Sequence, residues 1–212
     1  MKNNDTLIEF SALCTKNKKN LKHLSSPIYA EIGKGVTISN ELSKREMKAV
    51  CIALSRQVPK DTLLSGGVRY KSNFLLHELT KKKQLELTAG NVNIVSEENV
   101  DLSGFKSGGT YLREKVGEEK IEIATDYLQR LNVRSVKNLM KKRAFSCSMT
   151  DIRKVILVCA LLTGAEITVL CEPQRLFDSP TENAFWQIVS EWQGGKDGKV
   201  LWVLSSSEEF RK

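Results

Sequence analysis

Residues 148–173 of the chain read SMTDIRKVILVCALLTGAEITVLCEP, and this stretch decides the fold. Ser148 begins a capping-box pattern that is completed by Asp151, which predicts a helix N-terminus. Apolar residues then recur at helical spacing, and Gly164 is typical of a helix end. The apolar, β-branched segment 167–171 follows directly and has the composition of a buried parallel strand. The stretch therefore predicts a helix, a tight turn and a central strand.

Similar elements lie on both sides of this stretch. Segments 90–94 and 200–204 predict strands, the second one buried, and segments 118–132 and 182–192 predict helices. Residues 96–117 contain four glycines and are predicted to be an irregular linker. Strands that alternate with helices favour an α/β fold with a mostly parallel sheet flanked by helices.

A glycine-containing segment, Ser65-Gly66-Gly67-Val68-Arg69-Tyr70-Lys71-Ser72, follows a short predicted strand at 61–64 and precedes a predicted helix from Phe74 to Leu79. A phosphate needs converging backbone N–H groups, a helix N-terminus, a lysine and a hydroxyl for Mg²⁺. The segment offers these groups, although Ser65 and Tyr70 stand where the motif GxxxxGK[ST] has glycines. We predict a phosphate-binding loop here, with a plain surface lysine at Lys71 as the alternative.

Composition narrows the function classes. The 212 residues include 33 Lys and Arg against 25 Asp and Glu, a formal charge of +8. The longest apolar run, 155–162, is far shorter than the ~20 residues of a membrane span, and the first residues do not resemble a signal peptide. Since the sequence has no basic helix with interleaved aromatics, we expect no nucleic-acid partner. The lysine clusters are typical of a solvated surface.

The five cysteines form no CxxC pair, and the sequence has two histidines. No zinc-binding spacing can be assembled from them. Cys159 and Cys171 lie in apolar runs, where cysteine usually acts as a small buried hydrophobe. The pattern favours free thiols in a reducing compartment.

The segment 148–173 resembles the signature-to-Walker-B region of ATP-binding cassette (ABC) ATPases. Ser148 matches the signature serine and Lys154 its basic residue, and Glu172-Pro173 ends the strand as in the family. Asp178 matches the aspartate of the family's D-loop. Strand 200–204 and the following serines resemble the strand and switch of the family, and residues 54–61 resemble the strand and turn that lead into its phosphate loop.

The resemblance covers roughly residues 50–210. It implies a P-loop NTPase-like fold with an N-terminal β-rich part, a single domain over 1–212 and a helical signature subdomain at roughly 96–150. Chain length is most similar to the short subunits of the lipoprotein-release and macrolide-export branch.

The resemblance also implies site residues. ATP and Mg²⁺ would be the cofactors, with Lys71 on the phosphates, Ser72 on the Mg²⁺ and Glu172 polarising the attacking water. The other nucleotide-binding residues that it implies are Gly66, Gly67, Arg69, Ser148 and Asp178.

The sequence departs from the family at several of these motifs. Met149 and Thr150 replace the signature glycines, Cys171 replaces the Walker B aspartate, and Ser206 stands in place of the switch histidine. A thiol is a poor ligand for the hard Mg²⁺ ion. Whether the chain hydrolyses ATP therefore stays open.

Two functions follow from this combination. The first is a cytoplasmic, membrane-peripheral subunit that binds ATP, forms a homodimer or heterodimer and energises a separate membrane permease, with weak or no hydrolysis. The alternative is a catalytically inactive scaffold or regulatory subunit of a membrane complex with the same fold.

Overall fold

A computed structural model describes residues 6–55, 57–71, 74–75, 79–96, 105–143, 146–192 and 197–206. In this part of the chain the strands are β1 (Thr6–Asn17), β2 (Ile28–Gly33), β3 (Gly35–Ser39), β4 (Thr62–Tyr70), β5 (Phe74–Leu75), β6 (Val92–Val95), β7 (Ile167–Cys171) and β8 (Val200–Leu204). The helices are α1 (Lys44–Ser55), α2 (Lys81–Thr88), α3 (Gly108–Val116), α4 (Ile121–Arg130), α5 (Val136–Lys141), α6 (Met149–Leu162) and α7 (Ser179–Glu191).

The strands form a parallel and an antiparallel sheet. The parallel sheet has the order β3-β8-β7-β6, and the antiparallel sheet has the order β2-β1-β4-β5. All five residues of β8 are buried, and Trp202 at its centre donates a hydrogen bond from Nε1 to Ser39 Oγ at 2.9 Å. The near-continuous apolar runs of β7 and β8 fit strands that are covered on both faces.

The parallel sheet lies between two hydrophobic cores. On one face Ile167, Val169 and Trp202 pack with side chains of α1 and of the antiparallel sheet. On the other face Leu170 and Val203 pack with side chains of α3 to α7. This layering places α1 and the carboxyl ends of the parallel strands next to each other.

The predicted fold class is confirmed: an α/β fold with a parallel sheet, flanking helices and a β-rich N-terminal part. Strands 167–171 and 200–204 have the predicted bounds, and the strand predicted at 90–94 spans Val92–Val95. Ser148 caps α6 as predicted, its hydroxyl oxygen accepting a hydrogen bond from the Asp151 N–H at 3.0 Å. The helix predicted from Glu118 begins as a 3-10 turn before α4.

Four local predictions are wrong. Within segment 54–61, predicted to be a strand and turn, the first two residues belong to the end of α1, whose buried residues recur at helical spacing. The predicted glycine loop is part of β4, and the first residues of the helix predicted at 74–79 form β5; residues 76–78 lie outside the described ranges. The linker predicted at 96–117 contains α3, whose two leading glycines let its backbone approach α5 closely.

Candidate functional site

A cavity of about 270 Å³ lies at the carboxyl ends of β6 and β7, along one side of α1. In open α/β sheets ligands bind in crevices at the carboxyl ends of the strands, so this cavity is the candidate site. Its walls come from α1, the following loop and the ends of the two strands: Lys44, Met47, Lys48, Cys51, Ile52, Ser55, Gln57, Pro59, Ser96, Cys171, Glu172 and Arg175.

Glu172 lies at the wall of the cavity directly after β7. Its backbone adopts the left-handed conformation, with φ 55°, and its N–H donates to Leu204 O at 2.8 Å. One carboxylate oxygen accepts a hydrogen bond from the Ser206 N–H at 2.7 Å, and the other is 2.5 Å from Arg175 Nε. Although burial raises the pKa of Glu172, the Ser206 hydrogen bonds and the Arg175 charge hold it below its usual value. Glu172 is therefore an ionised carboxylate with a partner on each oxygen.

Two thiols lie beside Glu172. Cys171 at the end of β7 and Cys51 on α1 are in contact, with their Sγ atoms 3.2 Å apart. The hydrogen bond with Cys51, burial and the Glu172 charge all raise the pKa of Cys171, which favours the protonated thiol. The protonated Cys171 thiol and one paired carboxylate do not suit Mg²⁺, which prefers oxygen ligands. The described residues hold no cluster of three or more His, Cys, Asp or Glu side chains that could bind a metal ion.

The connection between β3 and α1 joins the end of a parallel strand to the N-terminus of a helix. A phosphate-binding loop lies between a strand and a helix in the same way. Its sequence from Ser39 to Glu46 is SNELSKRE, which contains no glycine. Ser43 and Glu46 form a capping box: Glu46 Oε2 accepts from the Ser43 N–H at 2.7 Å, and Ser43 Oγ accepts from the Glu46 N–H at 3.4 Å. The hydrogen bonds with Ser43 lower the pKa of Glu46, so the helix N-terminus carries its own carboxylate.

The predicted phosphate loop does not reach this site. Gly66 and Gly67 lie inside β4, where two residues of β1, Ala12 and Leu13, face the single residue Gly66 across a β-bulge. A Cβ atom on Gly66 would lie 2.2 Å from Ala12 O. Only a glycine therefore allows the backbones of β1 and β4 to approach each other this closely.

The cations of the predicted loop are paired with carboxylates. Arg69 lies 3.6 Å from Glu9 across the sheet. Lys71 Nζ lies 3.0 Å from Glu166, whose carboxylate also accepts a hydrogen bond from the Tyr70 hydroxyl. These positions correct the prediction that residues 65–72 form a phosphate-binding loop; Ser72, the predicted Mg²⁺ ligand, lies outside the described residues.

The remaining predicted residues in the described part of the chain have structural contacts, two of them as helix caps. Ser148 caps α6, and Asp178 caps α7 by accepting a hydrogen bond from the Thr181 N–H at 3.1 Å. Lys154, the predicted basic signature residue, is buried and donates to Leu131 O at 2.7 Å. Of the predicted site residues in the described part of the chain, Glu172 alone is among the cavity-lining residues.

Sequence reasoning missed the α1 wall of the cavity. Lys44, Met47, Lys48 and Cys51 line it, and none of them was a predicted site residue. The available signal was the pattern Ser43-Lys44-Arg45-Glu46 after the β-rich segment 35–39, which marks a strand followed by a capped helix.

Within the described ranges, none of the helices has the length and apolar content needed to cross a membrane.

Comparison with solved structures identifies the architecture. The dimeric structure of MJ0796, a bacterial ABC transporter cassette, matches with a TM-score of 0.71 at 16% identity, over 96% of this chain and 90% of that one. The ADP- and phosphate-bound post-hydrolysis dimer of the same cassette matches at 0.70 and 14%, with the same coverage. The CbiO1 protein of Clostridium perfringens, part of the ABC transporter complex CbiONQ, matches at 0.63 and 15%, over 96% and 79% of the two chains. No protein-family model and no curated protein matches the sequence. The chain therefore has the fold of an ABC cassette.

Proposed function

We propose that the chain is a non-hydrolysing cassette subunit of an ABC-transporter-type membrane complex, with a scaffolding or regulatory role. The cassette fold supports the type of complex, and the site supports the absence of turnover. The observation that carries the proposal is the Glu46 carboxylate at the N-terminus of α1.

A phosphate bound after β3 would need the free N–H groups and the positive dipole end of α1. The capping box uses the N–H groups of Ser43 and Glu46, and it places a negative charge at the same helix end. A nucleotide phosphate would meet that carboxylate without a glycine-rich backbone to surround it. The N-terminus of α1 is therefore poorly suited to binding a phosphate group.

Glu172 is equally unsuited to activating water. Its two carboxylate oxygens are held by Arg175 and by the Ser206 N–H, and these contacts lower its pKa, which makes Glu172 a weaker base toward a nucleophile. Cys171 beside it offers a protonated thiol where phosphoryl transfer needs a metal-bound oxygen ligand. Loss of these groups together is expected to remove many orders of magnitude in rate.

The solved structures with a similar fold support a proposal about the partners of this chain. One solved neighbour is a dimer, and another is a component of the complex CbiONQ. We propose by the same logic that this chain pairs with a cassette, its own copy or a different one, and binds an integral membrane permease at the inner face of the membrane. An export function of the lipoprotein-release type stays a prediction from the sequence.

The cavity favours a second candidate, a subunit that binds ATP without hydrolysing it. Lys44 and Lys48 both line the cavity, and two lysines on successive turns of α1 can attract an anion. In that case the nucleotide would enter from the α1 side and avoid the β3–α1 connection.

Thermal unfolding with Mg²⁺-ATP separates the two candidates. We expect no shift of the midpoint at millimolar Mg²⁺-ATP and no release of inorganic phosphate, because a ligand stabilises only the state that it binds. A concentration-dependent upward shift would contradict the proposal and support the ATP-binding candidate, and a Lys44→Ala, Lys48→Ala variant would then lose the shift. A Lys18→Ala, Lys19→Ala variant, altered in the loop after β1, is the matched control.

The complex is tested by membrane fractionation. We expect the tagged chain to sediment with membranes and to co-purify in detergent with an integral membrane protein in a fixed ratio. A chain recovered entirely in the supernatant, with no membrane partner, would contradict the scaffolding proposal while leaving the fold unaffected.

A further inference from the structure

Cys51 and Cys171 come together only in the folded chain. One lies on α1 and the other ends β7, yet their Sγ atoms are 3.2 Å apart. The other cysteines are placed differently: Cys14 and Cys159 are buried in the cores, and the Cys147 thiol donates to Arg143 O at 3.6 Å. The contact therefore singles out one pair among five thiols.

The pair is both close and accessible. A disulfide bond is about 2.05 Å long, so a side-chain movement of roughly 1 Å would bring the two sulfurs within bonding distance. Both residues line the cavity of about 270 Å³, which is large enough to admit a small oxidant. A buried thiol pair without such an opening would be shielded from oxidation.

We propose that Cys51 and Cys171 form a reversible thiol/disulfide pair that is oxidised by hydrogen peroxide entering the cavity. The thiolate of one member of the pair attacks one peroxide oxygen, the O–O bond breaks, and a sulfenic acid and hydroxide form. The sulfur of the other member then attacks the oxidised sulfur, the S–O bond breaks, and the sulfenic oxygen leaves as water with the proton of the second thiol. Overall, two thiols and one peroxide give one disulfide and two waters.

The oxidation is reversible. A reductant such as dithiothreitol reverses the bond by thiol–disulfide exchange.

The disulfide would join α1 to β7 across one wall of the cavity. These residues are 120 positions apart in the sequence, so the bond restricts the unfolded chain over a long loop and stabilises the folded one. It would also hold α1 against the sheet at the wall of the cavity. This inference holds whether or not the chain belongs to a membrane complex.

Thiol counting on the wild-type chain tests the proposal directly. The purified chain is exposed to dilute hydrogen peroxide, denatured without reductant and alkylated with N-ethylmaleimide. We expect the number of labelled thiols to fall from five to three, and to return to five after dithiothreitol. Peptide mapping should recover a linkage between the Cys51 and Cys171 peptides, and the oxidised chain should unfold at a higher temperature.

Matched variants identify the pair. Cys171→Ser and Cys51→Ser should each form no disulfide after peroxide exposure, because each lacks one member of the pair, whereas Cys147→Ser should still form the disulfide and fall from four labelled thiols to two. The proposal is overturned if the wild-type chain keeps five free thiols, if the linkage involves another cysteine, or if either thiol of the pair is oxidised to sulfinic acid without a crosslink. The wild-type experiment decides the question even if a serine variant fails to fold.

Discussion

The Glu46 carboxylate accepts a hydrogen bond from the Ser43 N–H at 2.7 Å, and the Ser43 hydroxyl oxygen accepts one from the Glu46 N–H at 3.4 Å. This reciprocal pair closes the N-terminus of α1 directly after the parallel strand β3. In a cassette fold it turns a position suited to an anionic ligand into an ordinary helix start. The relationship underlies the first prediction.

Ser43→Ala should lower the free energy of unfolding by about 1 kcal/mol, because an N-cap hydroxyl is replaced by a group that accepts no hydrogen bond. Urea unfolding measures the change. Ser148→Ala is the comparison variant, since the Ser148 hydroxyl also accepts a hydrogen bond from the third residue of its helix, and a similar loss is expected. Equal stability of Ser43→Ala and the wild type would show that the capping box does not stabilise α1.

Gly66→Ala should be strongly destabilising, by roughly 3 kcal/mol or more, because it combines a left-handed backbone with a steric clash. Gly66 has φ 96°, and an added Cβ would lie 2.2 Å from the backbone oxygen of Ala12. Relief of the clash requires separation of β1 and β4. Chemical denaturation of the purified variant, or its failure to accumulate, measures the effect.

Gly90→Ala is the control for this prediction. Gly90 also has a positive φ, 75°, but a Cβ there would meet nothing within 4 Å. Its cost should be limited to the backbone strain, about 1 kcal/mol. If both variants lower the free energy of unfolding by the same amount, close packing at the bulge is not the reason that residue 66 is a glycine.

Glu172→Gln should lower the free energy of unfolding by about 1–3 kcal/mol near pH 7, because a buried charge-assisted hydrogen-bond network loses its anion. The folded-state pKa of Glu172 lies below the usual 4.5, so its contribution is present above that value and is lost as the pH falls through the folded-state pKa. The difference between variant and wild type should therefore shrink on acidification. Urea unfolding across this pH range measures it.

Glu191→Gln provides the surface comparison. Glu191 pairs with Arg130 at 2.8 Å, but its side chain is 51% exposed. Exposed ion pairs contribute little, so this variant should cost less than about 1 kcal/mol. A larger loss at Glu191 than at Glu172 would contradict the argument that burial sets the size of the effect.

Lys71→Ala should change the free energy of unfolding by less than about 1 kcal/mol, since its ion pair with Glu166 is half exposed. The variant should respond to Mg²⁺-ATP in the same way as the wild type in thermal unfolding. Glu166→Gln should cost more, because it also weakens the hydrogen bond from Tyr70. If only Lys71→Ala lost a thermal shift with Mg²⁺-ATP, the result would support the prediction that residues 65–72 bind phosphate.

Much of the fold was predictable because its signals are local. The strand at 167–171, the strand at 200–204 and the cap at Ser148 depend on apolar runs and on one hydroxyl, which short segments of sequence display. The prediction of a loop from Ser65 was wrong, because glycines in this part of β4 imitate a loop. Gly66 is required by contact with Ala12, a residue more than fifty positions away that no local pattern reveals.

The candidate site was predictable only at Glu172, which ends a strand that the sequence displays clearly. Lys71 could not be assigned, because its partner Glu166 reaches it only when the two sheets are packed together. The wall formed by Met47 and Cys51 depends on α1, whose capping signal is short and was overlooked.

The sequence by itself determined the helix that begins after Ser148 and the strands at 167–171 and 200–204, since these depend on local residue type and spacing. The tertiary structure alone decided which groups meet. It placed Glu46 at a helix end, enclosed Glu172 with Arg175 and Ser206, and brought Cys51 to Cys171. These contacts join distant segments, and they exist only because the two cores hold α1 and the parallel sheet together.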